Sequence, residues 1–401
     1  SSIKQIKGDH SLTSCPLCFS DNVRRIMDIP NVPVHCNRLW PSREEALSAP
    51  RGDMELTFCN DCTHVFNASF DPKLVEYSPG YENSLHFSPR FQEYAQALAG
   101  RLVKDYDLFG KKVIEIGCGR GEFLAMLCDL GQNQGVGFDP SASPGPQSDF
   151  GYGNVSIVKD YYSERYSDED PDLVCCRHVL EHVQNPVEFL GSITRTLGQS
   201  SEAVLFFEVP NVMFTLKDLG IWDLIYEHCS YFTLQSLQTL FRSVSCEVLR
   251  SESTFMDQFL CLEAACQDRR ESGISKPHLD ASAVSSYVAG FADNYRETLA
   301  QWRSFFDREL PAGAKVAVWG AGSKGVTFLN ALNLTDQVQC VVDINPAKQG
   351  LYVPGTGQQV VSPPEMEDDP PEAIVIMNPV YQSEIKTMVA ELGLTPTFHV
   401  V

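Results

Sequence analysis

The sequence predicts an α/β protein in which a small cysteine-bearing lobe precedes two units of alternating strands and helices. Short apolar runs alternate with helix-length segments from residue 112 onwards, and the same strand–turn–helix pattern begins again near residue 314. This alternation favours parallel sheets that helices cover on both faces. A chain of 401 residues is also longer than the ~150 residues of an average domain, which agrees with several folded regions.

The predicted elements begin with a helix from about Pro89 to Asp107, where apolar residues recur at helical spacing. KKVIEIG, GCGRG and EFLAMLCDLG then indicate a strand, a turn and a helix that ends at Gly131. Further strands are predicted in GVGFD, NVSIVKD, DLVCCRHVL, AVLFFEVP, AKVAVW, VQCVVDINP and EAIVIMNP, and a helical segment is predicted between about 270 and 310. We therefore expect a lobe at 1–80, an α/β domain with its lead-in helix at 81–270, a helical linker at 271–310 and a second α/β domain at 311–401.

The first 80 residues are expected to form an irregular, loop-rich lobe. Prolines interrupt any long element there, among them Pro30, Pro33, Pro41 and Pro50. A lobe of this size cannot rely on apolar burial alone. We therefore expect a covalent or metal crosslink to hold it.

Two CxxC pairs supply such a crosslink, and they are formed by Cys15, Cys18, Cys59 and Cys62. Four thiolates fill a tetrahedral Zn²⁺ site and leave no open position, which is typical of a structural rather than a catalytic metal. A redox dithiol is the alternative, but it would need a βαβ context that this region lacks, and accidental pairing is another. His35, Cys36 and His64 can also serve as ligands, although we expect ordinary loop residues there.

The composition and net charge of the chain indicate which classes of molecule it binds. Lys and Arg number 31 against 52 Asp and Glu, so the net charge is −21 and the surface repels phosphate backbones and anionic lipid. We therefore expect a small-molecule substrate rather than nucleic acid. The sequence has no run of the ~20 apolar residues that a membrane span needs, and its first ten residues lack the apolar core of a signal peptide. These features predict a soluble, cytoplasmic protein in which isolated cysteines such as Cys246 are buried reduced thiols; they leave the oligomeric state open, with a monomer permitted.

A glycine-rich turn, Glu115-Ile-Gly117-Cys118-Gly119-Arg-Gly121, follows the first predicted strand of the middle domain. Small residues let the backbone approach a ligand, and a carboxylate at the strand end can hold a cationic or hydroxyl-bearing group. Asp139 ends the next strand, where a ribose diol would bind, and Asp160 ends the third and can accept from an adenine amino group.

This order of acidic strand ends, together with HVLEHVQNP after the fourth strand, resembles class I (Rossmann-like) S-adenosylmethionine-dependent methyltransferases. A doubly wound fold with tight turns and no cofactor is the alternative. The resemblance implies S-adenosylmethionine contacts at Glu115, Gly117, Cys118, Gly119, Gly121, Asp139, Asp160, Tyr161 and His178.

A short segment beyond the fifth strand places Tyr226, Glu227 and His228 in succession, close to Tyr231 and Phe232. Because its strand end lies on the edge that carries the cofactor motif, we expect these side chains to face the reacting methyl group. An imidazole can remove a proton at neutral pH, and an adjacent Glu or Tyr can orient it. A surface histidine beside a capping glutamate is the alternative.

A second glycine-rich turn, Gly320-Ala-Gly322-Ser-Lys324-Gly325, opens the C-terminal domain, and Asp343 follows at the end of the next strand. This spacing is that of a dinucleotide fingerprint, but the same turn can bind any phosphate-bearing ligand through a helix N-terminus. Gly320, Gly322, Lys324 and Lys348 are therefore candidate substrate contacts, with solvated surface lysines as the alternative.

The order of a four-cysteine lobe, a middle domain with GFDPS and a YEH segment, and a C-terminal GAGSKG…VVDINPAKQG…VPG unit resembles the sugar C-methyltransferase family. The resemblance implies a structural zinc ion, S-adenosylmethionine in the middle domain and a nucleotide-linked keto-deoxysugar between the middle and C-terminal domains. It assigns His228 as the base, paired with Glu227, and places Tyr81 and His182 beside the sugar. The family tyrosine stands two residues before the glutamate, whereas Ile225 occupies that position here and Tyr226 directly precedes Glu227.

The expected reaction is C-methylation of a keto sugar. His228 removes a proton from the carbon beside the ketone, Glu227 and Tyr226 orient the imidazole, and the resulting enolate carbon takes the methyl group. Three alternatives remain: an O- or N-methyltransferase acting on a polysaccharide precursor or natural product, an NAD(P)-dependent nucleotide-sugar oxidoreductase, and a non-enzymatic scaffold built around the zinc lobe.

Overall fold

Three β-sheets organise the part of the chain that the structure, a computed structural model, describes: residues 12–75, 84–142, 154–198, 201–266 and 281–401. The strands are β1 (Val23–Pro33), β2 (Arg51–Cys59), β3 (Val65–Asn67), β4 (Lys112–Ile116), β5 (Gln134–Phe138), β6 (Val155–Val158), β7 (Leu173–Arg177), β8 (Val204–Pro210), β9 (Ser230–Tyr231), β10 (Glu247–Thr254), β11 (Phe259–Ala265), β12 (Val316–Trp319), β13 (Cys340–Val342), β14 (Val360–Val361), β15 (Ala373–Ile376) and β16 (Thr397–Val400). The helices are α1 (Arg43–Leu47), α2 (Pro89–Asp105), α3 (Glu122–Gly131), α4 (Pro186–Leu197), α5 (Val212–Leu216), α6 (Leu234–Ser243), α7 (Ala281–Ser304), α8 (Ser323–Leu332) and α9 (Gln382–Glu391).

The N-terminal lobe is more regular than its prolines predict. It contains an antiparallel sheet in the order β1-β2-β3-β9, so the expectation of an irregular lobe is wrong. Pro30 lies where the β1–β2 register shifts between Ile29 and Val32, and Pro33 is the last residue of β1. A proline is tolerated at a bulge or a strand end because no ladder hydrogen bond is lost there.

The central sheet confirms the predicted α/β class. Its order is β10-β11-β8-β7-β4-β5-β6; β4 to β8 run parallel, and β11 pairs antiparallel with β8 and β10. The carboxyl ends of β4, β5, β7 and β8 therefore meet at one edge, which is where open parallel sheets bind ligands. The sequence analysis did not anticipate β10 and β11.

The C-terminal domain has a smaller parallel sheet in the order β14-β13-β12-β15-β16. The chain enters this domain through α7, whose buried residues include Phe291 and Tyr295. The strand–turn–helix unit predicted after residue 314 is β12, the second glycine turn and α8.

The segment that contains His228 lies where the lobe, the middle domain and the C-terminal domain meet. Tyr231 in β9 pairs with Val65 in β3, so the middle domain completes the sheet of the lobe. Trp222 packs edge-on against Phe328 of α8, with ring centroids 4.9 Å apart. The folding of the lobe and of the C-terminal domain therefore fixes the position of this segment.

One cysteine prediction is wrong: Cys246 is joined to Cys266 in a disulfide rather than carrying a free thiol. The two residues flank the β10–β11 hairpin that the sequence analysis did not anticipate, and this hairpin brings them together. No described helix is both long enough and apolar enough to cross a membrane.

Candidate active site

The first glycine turn connects β4 to α3 with the backbone of Gly117 at φ +67° and that of Gly119 at φ +54°. A methyl group added at Gly117 would lie 2.2 Å from Cγ2 of Val179, so this glycine allows close packing against the loop after β7. At Gly119 no atom lies within 4 Å of the added position. The turn is therefore closed on the side of Val179 and open at Gly119, where a ligand can approach the backbone.

Two of the predicted cofactor carboxylates also stabilise the turn. Oε2 of Glu115 accepts a hydrogen bond from the amide of Leu124 in the first turn of α3 at 3.1 Å. Oδ2 of Asp139 accepts from the amide of Gly119 at 2.9 Å, and its Oδ1 accepts from Ser141. Burial raises the pKa of Glu115 to about 8, although Arg177 acts to lower it.

The third carboxylate, Asp160, is tied to the loop that follows β6. It accepts hydrogen bonds from the side chains of Tyr166 and Arg165, each at 2.8 Å, and the bond from Tyr166 is the main reason that its pKa is lowered. The neighbouring Tyr161 is 71% exposed, and an exposed aromatic ring is suited to stacking on a base.

These residues fit S-adenosylmethionine. The open space at Gly119 allows close approach, and acidic side chains suit a cationic donor. The Asp139 carboxylate, which accepts three hydrogen bonds, retains a lone pair for a ribose hydroxyl. Cys118 is buried within the turn. A methyl group added at Gly121, the last residue of the turn before α3, would meet side chains of Ile157 and Val155, so the turn packs closely against β6 at this end.

A buried ionic network lies beneath the strand ends. Arg177 at the end of β7 donates to Oε1 of Glu208 on β8 at 2.8 Å, and Tyr94 of α2 donates to Oε2 of the same carboxylate. Nε2 of His178 lies 2.9 Å from Oε1 of Glu208. Although burial acts to raise the pKa of Glu208, Arg177 and His178 hold it well below its usual range.

His178, a predicted cofactor contact, has a backbone φ of +54° and leads directly into the loop that packs on Gly117. Burial acts to lower the pKa of His178, but interactions with Glu181 and Glu208 raise it to about 9. The imidazole is therefore cationic at neutral pH in this arrangement.

His182 and His228 come together at the junction of the domains. Their rings meet edge to face with centroids 4.8 Å apart. Nδ1 of His182 lies 3.0 Å from the carbonyl oxygen of Glu227, and because a carbonyl can only accept, this nitrogen carries the proton and Nε2 carries the lone pair. Burial lowers the pKa of His228 to about 3; the charge of Glu181 acts to raise this pKa, and that of Lys324 acts to lower it.

Tyr226 and Glu227 do not orient His228 through their side chains. The hydroxyl of Tyr226 accepts from the amide of Asp71 at 2.9 Å, and its fully buried ring packs in the core against Phe70. Oε2 of Glu227 accepts from the amide of Cys36 at 2.8 Å. Both side chains anchor the segment to the lobe, so their expected contact with the imidazole is absent from the described contacts.

The second glycine turn is held by Asp343, which accepts from the amide of Ala321 at 2.9 Å. Lys348 is buried, and its Nζ lies 3.6 Å from Oδ2 of Asp343 and 3.9 Å from the place of an added methyl group at Gly322. Gly320, with φ +120°, leads into this turn.

Lys324 connects the C-terminal domain to the middle domain. It forms an ion pair with Asp223 and lies over the ring of Phe214 at 5.6 Å. Its side chain is 19% exposed, so the alternative of a solvated surface lysine is wrong for Lys324, as it is for the buried Lys348.

The four predicted metal ligands form a cluster. The Sγ atoms of Cys15, Cys18, Cys59 and Cys62 all lie within 4.8 Å of one another. The Cys15–Cys62 and Cys18–Cys59 pairs are 3.6 and 3.5 Å apart, close to the roughly 3.8 Å that tetrahedral Zn–S bonds of ~2.3 Å require. The donor set fits a structural zinc ion, which would hold the two ends of the lobe together.

Tyr81 lies outside the described residues. Glu181 was not among the predicted site residues; it is 2% exposed, and its Oε2 has no described hydrogen-bond partner. The Arg177–Glu208 pair was not among them either. The sequence did carry one signal for all of these residues, since each is a charged residue at or just beyond the end of an apolar strand.

Two stretches of the chain match known protein families. Residues 89–251 match the family described as "Methyltransferase domain", and residues 278–394 match the "C-methyltransferase C-terminal domain". The C-methyltransferase NovU of Streptomyces niveus is 26% identical over 292 residues, which cover 69% of this chain and 68% of NovU. A tRNA U34 carboxymethyltransferase of Sulfurimonas denitrificans is 26% identical over 165 residues, which cover 34% of this chain and 55% of that protein.

Solved structures that match part of this chain include magnesium protoporphyrin IX methyltransferase (ChlM) from Synechocystis PCC 6803 with bound SAH. The match has 19% sequence identity and a TM-score of 0.35, and it covers 47% of this chain and 90% of that chain.

Proposed function

We propose that this chain, which is an S-adenosylmethionine-dependent methyltransferase, methylates a carbon atom beside the ketone of a nucleotide-linked keto-deoxysugar. The proposal is supported by the match to a C-methyltransferase C-terminal domain and by the similarity to NovU. The observation that carries it is the contact between His182 and His228. His182 follows Val179, the packing partner of Gly117, in the segment after β7, and His228 reaches it from the segment before β9.

A base next to the donor site is what carbon methylation requires. S-adenosylmethionine, when bound, supplies an electrophilic methyl group. His228 is held neutral by its buried position and takes the proton from the carbon beside the ketone, which leaves an enolate whose carbon is nucleophilic. The hydrogen bond from His182 to the Glu227 carbonyl fixes the backbone next to His228, which helps to hold the base in place.

A buried lysine of the C-terminal domain supports binding of an anionic substrate. Lys324 is paired with Asp223 at the interface between the domains, which leaves this role to Lys348. Lys348 stands over the second glycine turn, at the N-terminal end of α8, where helix amides favour phosphate. We propose that the diphosphate of the substrate binds there, with the sugar directed towards His182 and His228.

Solvent exchange at the substrate carbon tests the proposal without depending on methyl transfer. The protein is incubated in D₂O with nucleotide-linked keto-deoxysugars and without S-adenosylmethionine, and the recovered substrate is analysed by mass spectrometry. We expect deuterium at the carbon next to the ketone, loss of this exchange in His228→Asn, and normal exchange in the matched control His399→Asn, because His399 lies in β16 of the C-terminal sheet. Methylation of an oxygen with no exchange at carbon would contradict the proposal.

The second glycine turn also suggests a dinucleotide-binding function, since its spacing is followed by Asp343 at the end of β13. That carboxylate accepts from Ala321 and neighbours the ammonium group of Lys348. A lysine beside this carboxylate suits a phosphate group better than a ribose diol. We therefore propose that the second glycine turn binds the substrate rather than a dinucleotide cofactor. Calorimetric binding of NADH but not of S-adenosylhomocysteine would reverse that preference.

A further inference from the structure

We propose that Glu181, His182 and His228 form a binding site for a divalent transition-metal ion, and that an ion bound there inhibits methyl transfer. The binding part stands on the geometry alone. The inhibition part rests on the proposed function of His228.

The three side chains converge from two segments of the chain. One ligand atom from each lies within 4.8 Å of the other two, although Glu181 and His182 follow β7 and His228 precedes β9. Glu181 is 2% exposed and His228 is 9% exposed. Two imidazoles and one carboxylate are a donor set that suits Zn²⁺, Co²⁺ and Ni²⁺.

Two of these groups have polar atoms that are buried without a partner. Oε2 of Glu181 and Nδ1 of His228 have no hydrogen bond within the described parts of the chain. Burying an unpaired carboxylate oxygen or ring nitrogen is unfavourable, and such atoms are rare unless a ligand completes them. Two such atoms in one group of three potential metal ligands therefore indicate a ligand that accepts electron pairs.

The third group is already oriented as a ligand. Nδ1 of His182 donates to the Glu227 carbonyl at 3.0 Å, so its lone pair is on Nε2. Histidine ligands commonly donate their second nitrogen to a carbonyl or carboxylate in this manner, which fixes the ring. The charge of the nearby Lys324 is compensated by Asp223, which lessens its repulsion of a cation.

A bound metal ion would inhibit methyl transfer because the ion and the substrate proton need the same nitrogen lone pair of His228. A neutral ring has one nitrogen lone pair, and its other nitrogen carries a proton. When a metal ion takes the lone pair of His228, no nitrogen of that ring remains to accept the proton of the substrate C–H bond. Metal binding and general-base action at His228 therefore exclude each other.

Titration with Co²⁺ tests the binding site in the full chain, purified with its four-cysteine cluster loaded with zinc. We expect visible d–d absorption to saturate at one Co²⁺ per chain, without the thiolate-to-cobalt charge-transfer band that replacement at the cysteines would give. Glu181→Gln and His182→Gln are expected to weaken Co²⁺ binding at least tenfold, with circular dichroism used to confirm folding. The control Glu188→Gln, on the surface of α4, should bind as the parent does.

Absence of Co²⁺ binding, or equal binding by Glu181→Gln and the parent, would overturn the site. For the inhibition, we expect methyl transfer to fall with the same half-saturation as the absorption and to recover when excess free histidine removes the Co²⁺. Unchanged or increased turnover at saturating Co²⁺ would overturn that part. If the chain transfers no methyl group to any keto sugar, the proposed function fails, and the absorption titration still decides the site.

Discussion

Replacing Gly117 with alanine tests whether the first glycine turn is shaped by its contact with Val179. The added methyl group would lie 2.2 Å from Cγ2 of Val179, whereas carbon atoms pack at about 3.5–4.0 Å. Forcing the two apart in a packed region costs about 1–3 kcal/mol. The backbone of Gly117, at φ +67°, adds about 1–2 kcal/mol for a residue with a Cβ, so we expect a loss of roughly 2–5 kcal/mol in the free energy of unfolding.

Gly119→Ala is the matched control, because it has φ +54° and no atom within 4 Å of the added methyl group. We expect the free energy of unfolding to fall by the backbone contribution alone, about 1–2 kcal/mol. We also expect this variant to bind S-adenosylhomocysteine more weakly. Urea denaturation and calorimetric titration measure the two effects. In the double variant Gly117→Ala/Val179→Ala, the steric part should be recovered. Equal stability of the two glycine variants, or no recovery in the double variant, would refute this reasoning.

Three further predictions concern stability. Glu208→Gln leaves the buried guanidinium of Arg177 without its counter-charge, so urea denaturation should show a loss of about 3–5 kcal/mol, and a loss below about 1 kcal/mol would contradict the network. The folded-state pKa of Glu115 is about 8, above its ordinary value of 4.5, so the stability it contributes is present below pH 4.5 and lost as pH rises through 8. Relative to Glu115→Gln, the parent should lose about 1.4 kcal/mol per pH unit across that window, and parallel pH profiles would contradict this. Cys59→Ser should remove bound zinc, measured by mass spectrometry of the metal, and lower the melting temperature of the lobe, whereas unchanged zinc content would contradict the assignment.

The fold follows from sequence where the signals are local. β4, the glycine turn and α3 lie where an apolar run, a cluster of glycines and helical spacing place them. β9 could not be predicted in the same way, because its two residues form a strand only through pairing with β3, more than 160 residues earlier in the chain. The long β1 was missed because a proline signals a break unless the bulge that accommodates it is known.

The residues of the candidate site could likewise be predicted only where the signal is local in the sequence. The four cysteines were found because CxxC brings two ligands together within one turn. Tyr226, Glu227 and His228 are adjacent in sequence, but their side chains contact Asp71, Cys36 and His182 respectively. Adjacent residues in a loop need not share a direction, so adjacency did not predict a catalytic group. The nearness of Glu181 to His228 depends on the folding of three regions and has no local signal.

A crystal structure with bound S-adenosylhomocysteine would show whether His228 can act as the base, through the distance between the sulfur atom of the cofactor and the imidazole of His228. We expect roughly 6–8 Å, which is one S–CH₃ bond, a near-attack gap and one C–H···N contact. We also expect the cofactor to lie along the turn at Gly119 with its ribose on Asp139. A sulfur atom tens of ångströms from His228, or an imidazole on the far side of the loop from the cofactor, would contradict the account.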